Sequence, residues 1–434
     1  MLEAVGCARL DDLFTPIPEK LRQHGLLALP AALSELEVQR ELARLAARND
    51  DAERLPCFLG AGSYAHFVPS AVDALASRAE FTTAYTPYQA EISQGTLQAI
   101  FEWQTMMAGL TGTDVSNASM YDGASATAEA ALMALRVTRR REVVVSAALH
   151  PHWRAVLETY LDGIDARVVT LPRGGDGRTA ALAEAVSNRT ACVVLQQPNF
   201  LGAVEDLAAA AEVAHASGAL VVTTVAEALS LALLRAPGDA GADVVCGEAQ
   251  SFGVPLGFGG PHLGFLCTKS AHVRQMPGRL VGQTLDVRGK RGFVLTLSTR
   301  EQHIRRERAT SNICTNQGLC LLMATIYLAL HGRVGLREVA RRNLSLAEYA
   351  KGRVRETPGL SLPLDAPTFN EFVVGVPDSG AAALARARER GLLGGLDLAA
   401  HAADLGPAVL VCTTERLRRA DVDALVDALA GGAA

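Results

Sequence analysis

Between Gly247 and Gly264 the chain reads GEAQSFGVPLGFGGPHLG, directly after the β-branched run Ala242–Cys246. Such a run predicts a buried strand, and the glycines after it predict a turn with close backbone approach. A side chain at this junction is held by rigid structure and can meet a ligand. A lysine there could form a Schiff base with a carbonyl, but Gln250 can only give and accept hydrogen bonds. The second candidate is the segment Tyr85–Gly95, YTPYQAEISQG. Tyr85, Thr86, Tyr88, Gln89, Glu91 and Gln94 surround Pro87 just before Gly95. Two readings stand: a surface loop that satisfies its own hydrogen bonds, or a loop that faces a ligand.

The third candidate is the turn Tyr121–Ser125, YDGAS, between a predicted strand over Val115–Met120 and a predicted helix over Ala126–Val137. Free N–H groups at a helix N-terminus suit a phosphate, and Gly123 and Ser125 supply them. Asp122 would repel that anion and equally suits an ordinary N-cap, so both readings remain. His150 and His152 form a short pair, but no further ligands stand at metal-binding spacing, so no metal is expected. Gln302–Arg308, with Arg305, Arg306 and Arg308, reads first as a solvated helix face. An uncharged polar stretch, Ala309–Gln317, follows it.

Alternating strands and helices must position these groups. Short β-branched runs at Glu142–Ser146, Ala166–Thr170, Ala191–Leu195, Ala219–Thr224, Ala242–Cys246 and Leu263–Cys267 are separated mostly by Ala-rich helical stretches such as Glu205–Ser217. The pattern predicts βαβ units and a mainly parallel sheet covered on both faces. Before it, residues 1–57 read as a helical arm, with Ser34–Glu37 as a capping box opening a helix to about Asn49. The large domain is expected over 58–334, and a smaller C-terminal α+β domain over 335–434 with strands at Glu371–Val376 and Ala408–Cys412.

With 434 residues, 49% hydrophobic and 20% charged, the composition is that of a soluble globular protein. A net charge of −5 gives no electrostatic case for nucleic acid. The apolar run Leu319–Leu330 is too short to span a bilayer and is read as a buried helix, so no membrane is expected. No secretory signal is visible, and eight cysteines without a CxxC pair suggest reduced thiols and a cytoplasmic protein. Cys314 and Cys320 are read as packing residues. Lysine is scarce, with Lys20, Lys269, Lys290 and Lys351 the whole complement.

Three segments together carry a family resemblance: Tyr85–Gly95, Phe252–His262 and Ser298–Thr315. From about Leu13 onward the chain resembles subunit 1 of glycine dehydrogenase (decarboxylating), the P-protein of the glycine cleavage system. Such chains usually begin several residues before the position of Met1, so an upstream start is expected. The resemblance implies a fold type I pyridoxal-phosphate architecture. It also implies a split enzyme paired as α2β2, whose homologous second subunit holds pyridoxal phosphate covalently. Glycine is then the substrate, and lipoamide on the lipoylated H-protein accepts the aminomethyl group. By that resemblance, Gln250 stands at the Schiff-base lysine position, so no catalytic residue is expected on this chain. His150 stands where a group stacks on the cofactor ring, and Glu227 near where an aspartate meets the pyridine nitrogen. Family members more often have Asp-Pro there, where this chain has Glu227-Ala228. The chain's own site, with Asp122, Gly123, Ser125, His150 and Glu227, is therefore expected to be vestigial. Tyr85, Thr86, Tyr88, Gln89, Glu91, Gln94, Gly95, Arg308, Thr310, Ser311 and Asn312 are expected to line the partner's active site. Two competing readings are a self-sufficient pyridoxal-phosphate enzyme, which the positions of the four lysines argue against, and an interaction module that keeps only the fold.

Overall fold

The computed structural model describes residues 1–313 and 315–431, and its chain separates into two units, Met1–Asp50 and Asp51–Ala434. The first contains one α-helix, Glu35–Ala46. Its start is fixed by the predicted capping box: Ser34 Oγ accepts from the Glu37 N–H, and the Ser34 N–H donates to Glu37 Oε2 at 2.8 Å. The unit ends seven residues before the expected limit of the arm. Residues from Asp51 onward are held elsewhere: Arg416 pairs with Glu53 at 2.6 Å, and Cys57 bridges to Leu393.

The second unit is built on a seven-stranded sheet. Its strands are β1 (Val115–Ser116), β2 (Glu142–Ser146), β3 (Arg167–Leu171), β4 (Thr190–Gln196), β5 (Leu220–Val225), β6 (Val244–Glu248) and β7 (Gly264–Thr268), in spatial order 1-7-6-5-4-2-3. The pairs from β3 through β2, β4 and β5 to β6 are parallel, whereas β7 runs antiparallel to both β6 and β1. Val143 and Val145 pack with Ala130, Met133 and Leu157 from the helices Gly123–Thr138 and Pro151–Asp162. Val144 faces the opposite core, with Leu97, Trp103 and Leu321 from the helices Gln94–Thr111 and Gly318–Glu356. Successive side chains of one strand thus feed two cores, which is why its sequence is uniformly apolar.

Three strands lay beyond the predicted set. A hairpin of β8 (Leu280–Leu285) and β9 (Arg291–Thr296) packs on the helix Gln94–Thr111, and both its strands are pinned there by glutamines. Gln104 donates to the Val281 carbonyl and accepts from its N–H, each at 2.9 Å. Gln94 does the same for Phe293 at 2.9 Å. The third is β11 (Leu396–Asp397), between β10 (Glu371–Gly375) and β12 (Ala408–Cys412) in sequence but at the edge of their antiparallel sheet, in order 10-12-11.

The predicted buried helix extends much further, over Gly318–Glu356, broken by non-helical backbone at Gly332. Leu321, Ala324, Tyr327 and Leu328 join the core of the large sheet, whereas Ala347, Ala350 and Val354 join the C-terminal core. The expected boundary at 335 therefore falls inside an element shared by two cores. Among the described residues this helix also holds the one stretch long and apolar enough to cross a membrane. Its mean hydropathy is 1.6, and 44% of that window is buried in the protein. Cys320 is buried as expected; Cys314 lies outside the described residues.

Candidate functional site

Gln250 is buried where β6 meets the glycine-rich turn, and each polar atom of its side chain is in use. Its Oε1 accepts from the Tyr64 N–H at 3.0 Å and its Nε2 donates to the Val254 carbonyl at 2.7 Å. The amide therefore ties the loop Gly60–Tyr64 to the glycine-rich turn. A lysine has no acceptor and could not make the first bond.

The helix N-terminus at Gly123 is likewise filled from within. Asp122 accepts from the Ser125 N–H at 2.8 Å, an N-cap. Glu248, the last residue of β6, accepts from Gly123 N–H at 3.1 Å and Leu263 N–H at 2.7 Å, and its carboxylate lies 3.4 Å from His262 Nδ1. Hydrogen bonding to Glu248 raises the His262 pKa. The indole of Trp153 covers the same point: a Cβ at position 123 would lie 2.3 Å from its ring, so glycine is required. Two carboxylates and an indole occupy the place where a phosphate would be cradled.

Glu227 follows β5 and is committed to His66. His66 Nε2 lies 2.9 Å from Glu227 Oε2, and its Nδ1 lies 2.8 Å from Glu415 Oε2. Burial works against a charged ring, but the two carboxylates outweigh it and lift the His66 pKa to about 10. Next to this pair, Glu371 accepts from the Ala61 N–H at 2.6 Å and the Tyr64 hydroxyl at 2.7 Å, and burial pushes its pKa up to about 7. His150 Nδ1 accepts from the His152 N–H at 3.2 Å, so its Nε2 carries the hydrogen bonded to the Ala61 carbonyl at 2.9 Å. Its ring stacks on Trp153 at 5.6 Å between centroids, and burial lowers its pKa to about 4. Asp122, Gly123, Ser125, His150 and Glu227 are thus each bonded within the chain, and this arrangement does not fit a bound pyridoxal phosphate. Among the described residues no cluster of metal ligands forms.

The expected partner-lining residues are placed differently. Tyr85 is 83% exposed and Tyr88 48% exposed, and Gln89 and Glu91 also face outward. Tyr88 meets the His303 ring edge at 5.4 Å, bringing the first loop against the segment Gln302–Arg308. Arg308 and Asn312 are exposed, with Thr86 and Thr310 half-buried. Gln94 spends its amide on Phe293 and Ala90, while Gly95 is exposed. Ser311 donates to Glu129 at 2.8 Å on the helix Gly123–Thr138, apart from the loop. Of the four lysines, Lys269 is paired with Asp243 at 2.7 Å and Lys351 with Glu348. Sequence reasoning did not single out His66, Glu248, Trp153 or Glu371. Their roles depend on contacts between distant segments that no local motif marks.

The Glycine cleavage system P-protein family profile matches residues 1–429. A relative from Anaeromyxobacter dehalogenans (strain 2CP-C), named probable glycine dehydrogenase (decarboxylating) subunit 1, is 56% identical over 421 residues, covering 96% of this chain and 94% of its own length. A crystal structure of glycine decarboxylase (P-protein) of the glycine cleavage system, in inhibitor-bound form, superposes with a TM-score of 0.91 at 48% identity, covering 99% of this chain and 96% of that one. A Lactobacillus brevis glutamate decarboxylase shares the fold alone, with a TM-score of 0.69 at 13% identity over 97% of this chain and 99% of its own.

Proposed function

Because this chain belongs to the glycine cleavage system P-protein family, as a subunit of the glycine-decarboxylating enzyme, we propose that it is the subunit that does not hold the cofactor. The observation that carries this is the Gln250 amide, which bonds two backbone segments where a Schiff-base lysine would stand. A homologous second subunit then binds pyridoxal phosphate covalently, and the two pair as α2β2. When bound, that group supplies an electron sink for the pair released by decarboxylation. The aminomethyl group passes to lipoamide on the H-protein. Free thiols at all seven described cysteines accord with a reducing, cytoplasmic setting.

This chain's contribution is to bind, orient and enclose. Tyr85, Thr86, Tyr88, Gln89, Glu91, Gln94 and Gly95, with Arg308, Thr310, Ser311 and Asn312, are assigned to the wall of the partner's site. Exposed apolar side chains in and beside this loop support a surface made to be covered: Ile92 lies within it, and Ile304 follows His303, whose ring meets Tyr88. Within that wall Tyr88 offers a hydroxyl to the substrate, Gln89 and Glu91 add polar edges, and the apolar residues exclude water. Gln94 acts indirectly, by anchoring the loop to β9.

The purified chain alone is expected to show no glycine decarboxylation and no glycine–bicarbonate exchange. Both activities should appear on mixing it with the second subunit, pyridoxal phosphate and lipoylated carrier. Exchange by this chain without a partner would overturn the assignment.

A further inference from the structure

Beneath the exposed loop lies a buried guanidinium. Arg279, immediately before β8, is 3% exposed, and its Nη2 donates to Tyr88 Oη at 2.8 Å. Its guanidinium lies 5.2 Å from the centre of the Tyr88 ring. Nε is 3.3 Å from Glu301 Oε2, near enough for ionic attraction but not aligned as a hydrogen bond. Nε and Nη1 of Arg279 and Oε1 of Glu301 have no hydrogen-bond partner. The backbone that launches Arg279 is held in turn: Arg300 donates to the carbonyls of Met276, Gly278 and Leu297. Ala118 donates to the Arg279 carbonyl at 2.8 Å. Such a charge is costly to bury and would not be left half-satisfied on stability grounds alone.

The donor inventory fixes the direction of the tyrosine. A guanidinium has five donors and no acceptor, so Arg279 occupies a lone pair of Tyr88 Oη and cannot take its hydrogen. Among the described residues no group accepts that hydrogen, and Tyr88 is half exposed, so its hydroxyl is free to donate to a ligand outside the chain. A hydroxyl that accepts from a cation is also a stronger donor to an anion.

We infer that Arg279 is a positioning residue that fixes Tyr88 as a hydrogen-bond donor to the carboxylate of glycine in the partner's active site. The inference rests on the reading of the Tyr85–Gly95 loop given above.

The test is a double-mutant cycle on the assembled enzyme, with kcat and KM for glycine, glycine affinity by titration of the cofactor absorbance, and assembly by sedimentation. Tyr88→Phe should lower kcat/KM and glycine affinity about tenfold. Arg279→Gln should lower both similarly, Arg279→Lys should recover part of the loss, and Tyr88→Phe/Arg279→Gln should be no worse than Tyr88→Phe alone. If Tyr88→Phe is harmless, the loop reading itself fails. If Tyr88→Phe is harmful but Arg279→Gln is harmless or adds its full loss, the loop reading survives and the positioning role is overturned. Should Arg279→Gln not assemble, Arg279→Lys in the two Tyr88 backgrounds decides by the same comparison.

Discussion

Gln250→Lys is the substitution that would seem to restore a cofactor site, and the geometry says it should not. The lysine has no acceptor and would leave the Tyr64 N–H without its partner. Stranding a buried backbone donor costs about 1–3 kcal/mol, so the variant should unfold at lower denaturant than the parent. It should also show no stable absorbance band from a lysine-bound cofactor, because Asp122, Glu248 and Trp153 still fill the phosphate position and Glu227 stays bound to His66. A stable parent-like fold with a full cofactor band would contradict this. A second residue tests the loop. Tyr88→Phe should lower kcat/KM for glycine by about tenfold, the equivalent of about 1.4 kcal/mol, with subunit association unchanged by sedimentation. Gln250 stood out in the sequence by its setting between a strand and a glycine-rich turn. Its actual partner, Tyr64, lies 186 positions away, and no spacing rule reports such a bond.

Between elements, the bond network His66–Glu227–Glu415 joins the loop after Gly60, the end of β5 and the segment after β12. The His66 pKa of about 10 exceeds its ordinary unfolded value of about 6.5, so this contribution is complete below about 6.5 and is lost as pH rises towards 10. Glu371, pushed up to about 7 by burial, acts with the same sign: its stabilising protonated form is lost from about 4.5 to 7. Glu415 resists burial through His66 and is held below its ordinary value, so its contribution is lost in the opposite direction, as pH falls through the acid range. The melting temperature should therefore fall between pH 7 and 9.5. His66→Gln should be less stable at pH 7, since two buried carboxylates lose their partner, and should show a much flatter decline. An equal slope in both proteins would remove the network from the account. Among the strands, β-branched runs were legible even in β3, much of which is exposed. β2, β4, β5 and β6 were visible because both of their faces are covered and Val and Leu fill them. The β8–β9 hairpin was not, because Gly282, Gln283, Arg291 and Gly292 interrupt it and much of it faces outward. Its stability comes from Gln94 and Gln104 on a helix nearly two hundred residues away.

For the whole molecule, we propose that one reaction is divided between two chains: this one supplies walls and orientation, and its partner supplies the cofactor and its lysine. The family was legible from three long motifs, whereas the contacts of Glu248, His66 and Trp153 were not, because they join segments far apart in the chain. Those contacts support the proposed division, since Asp122, Gly123, Ser125, His150 and Glu227 are bonded within the chain. The most direct measurement is borohydride reduction of the assembled, pyridoxal-phosphate-loaded enzyme, followed by separation of the subunits and peptide mapping of the reduced adduct. The expected result is a stoichiometric adduct on a lysine of the partner subunit and none on Lys20, Lys269, Lys290 or Lys351. A stoichiometric adduct on any of these four lysines would contradict the account.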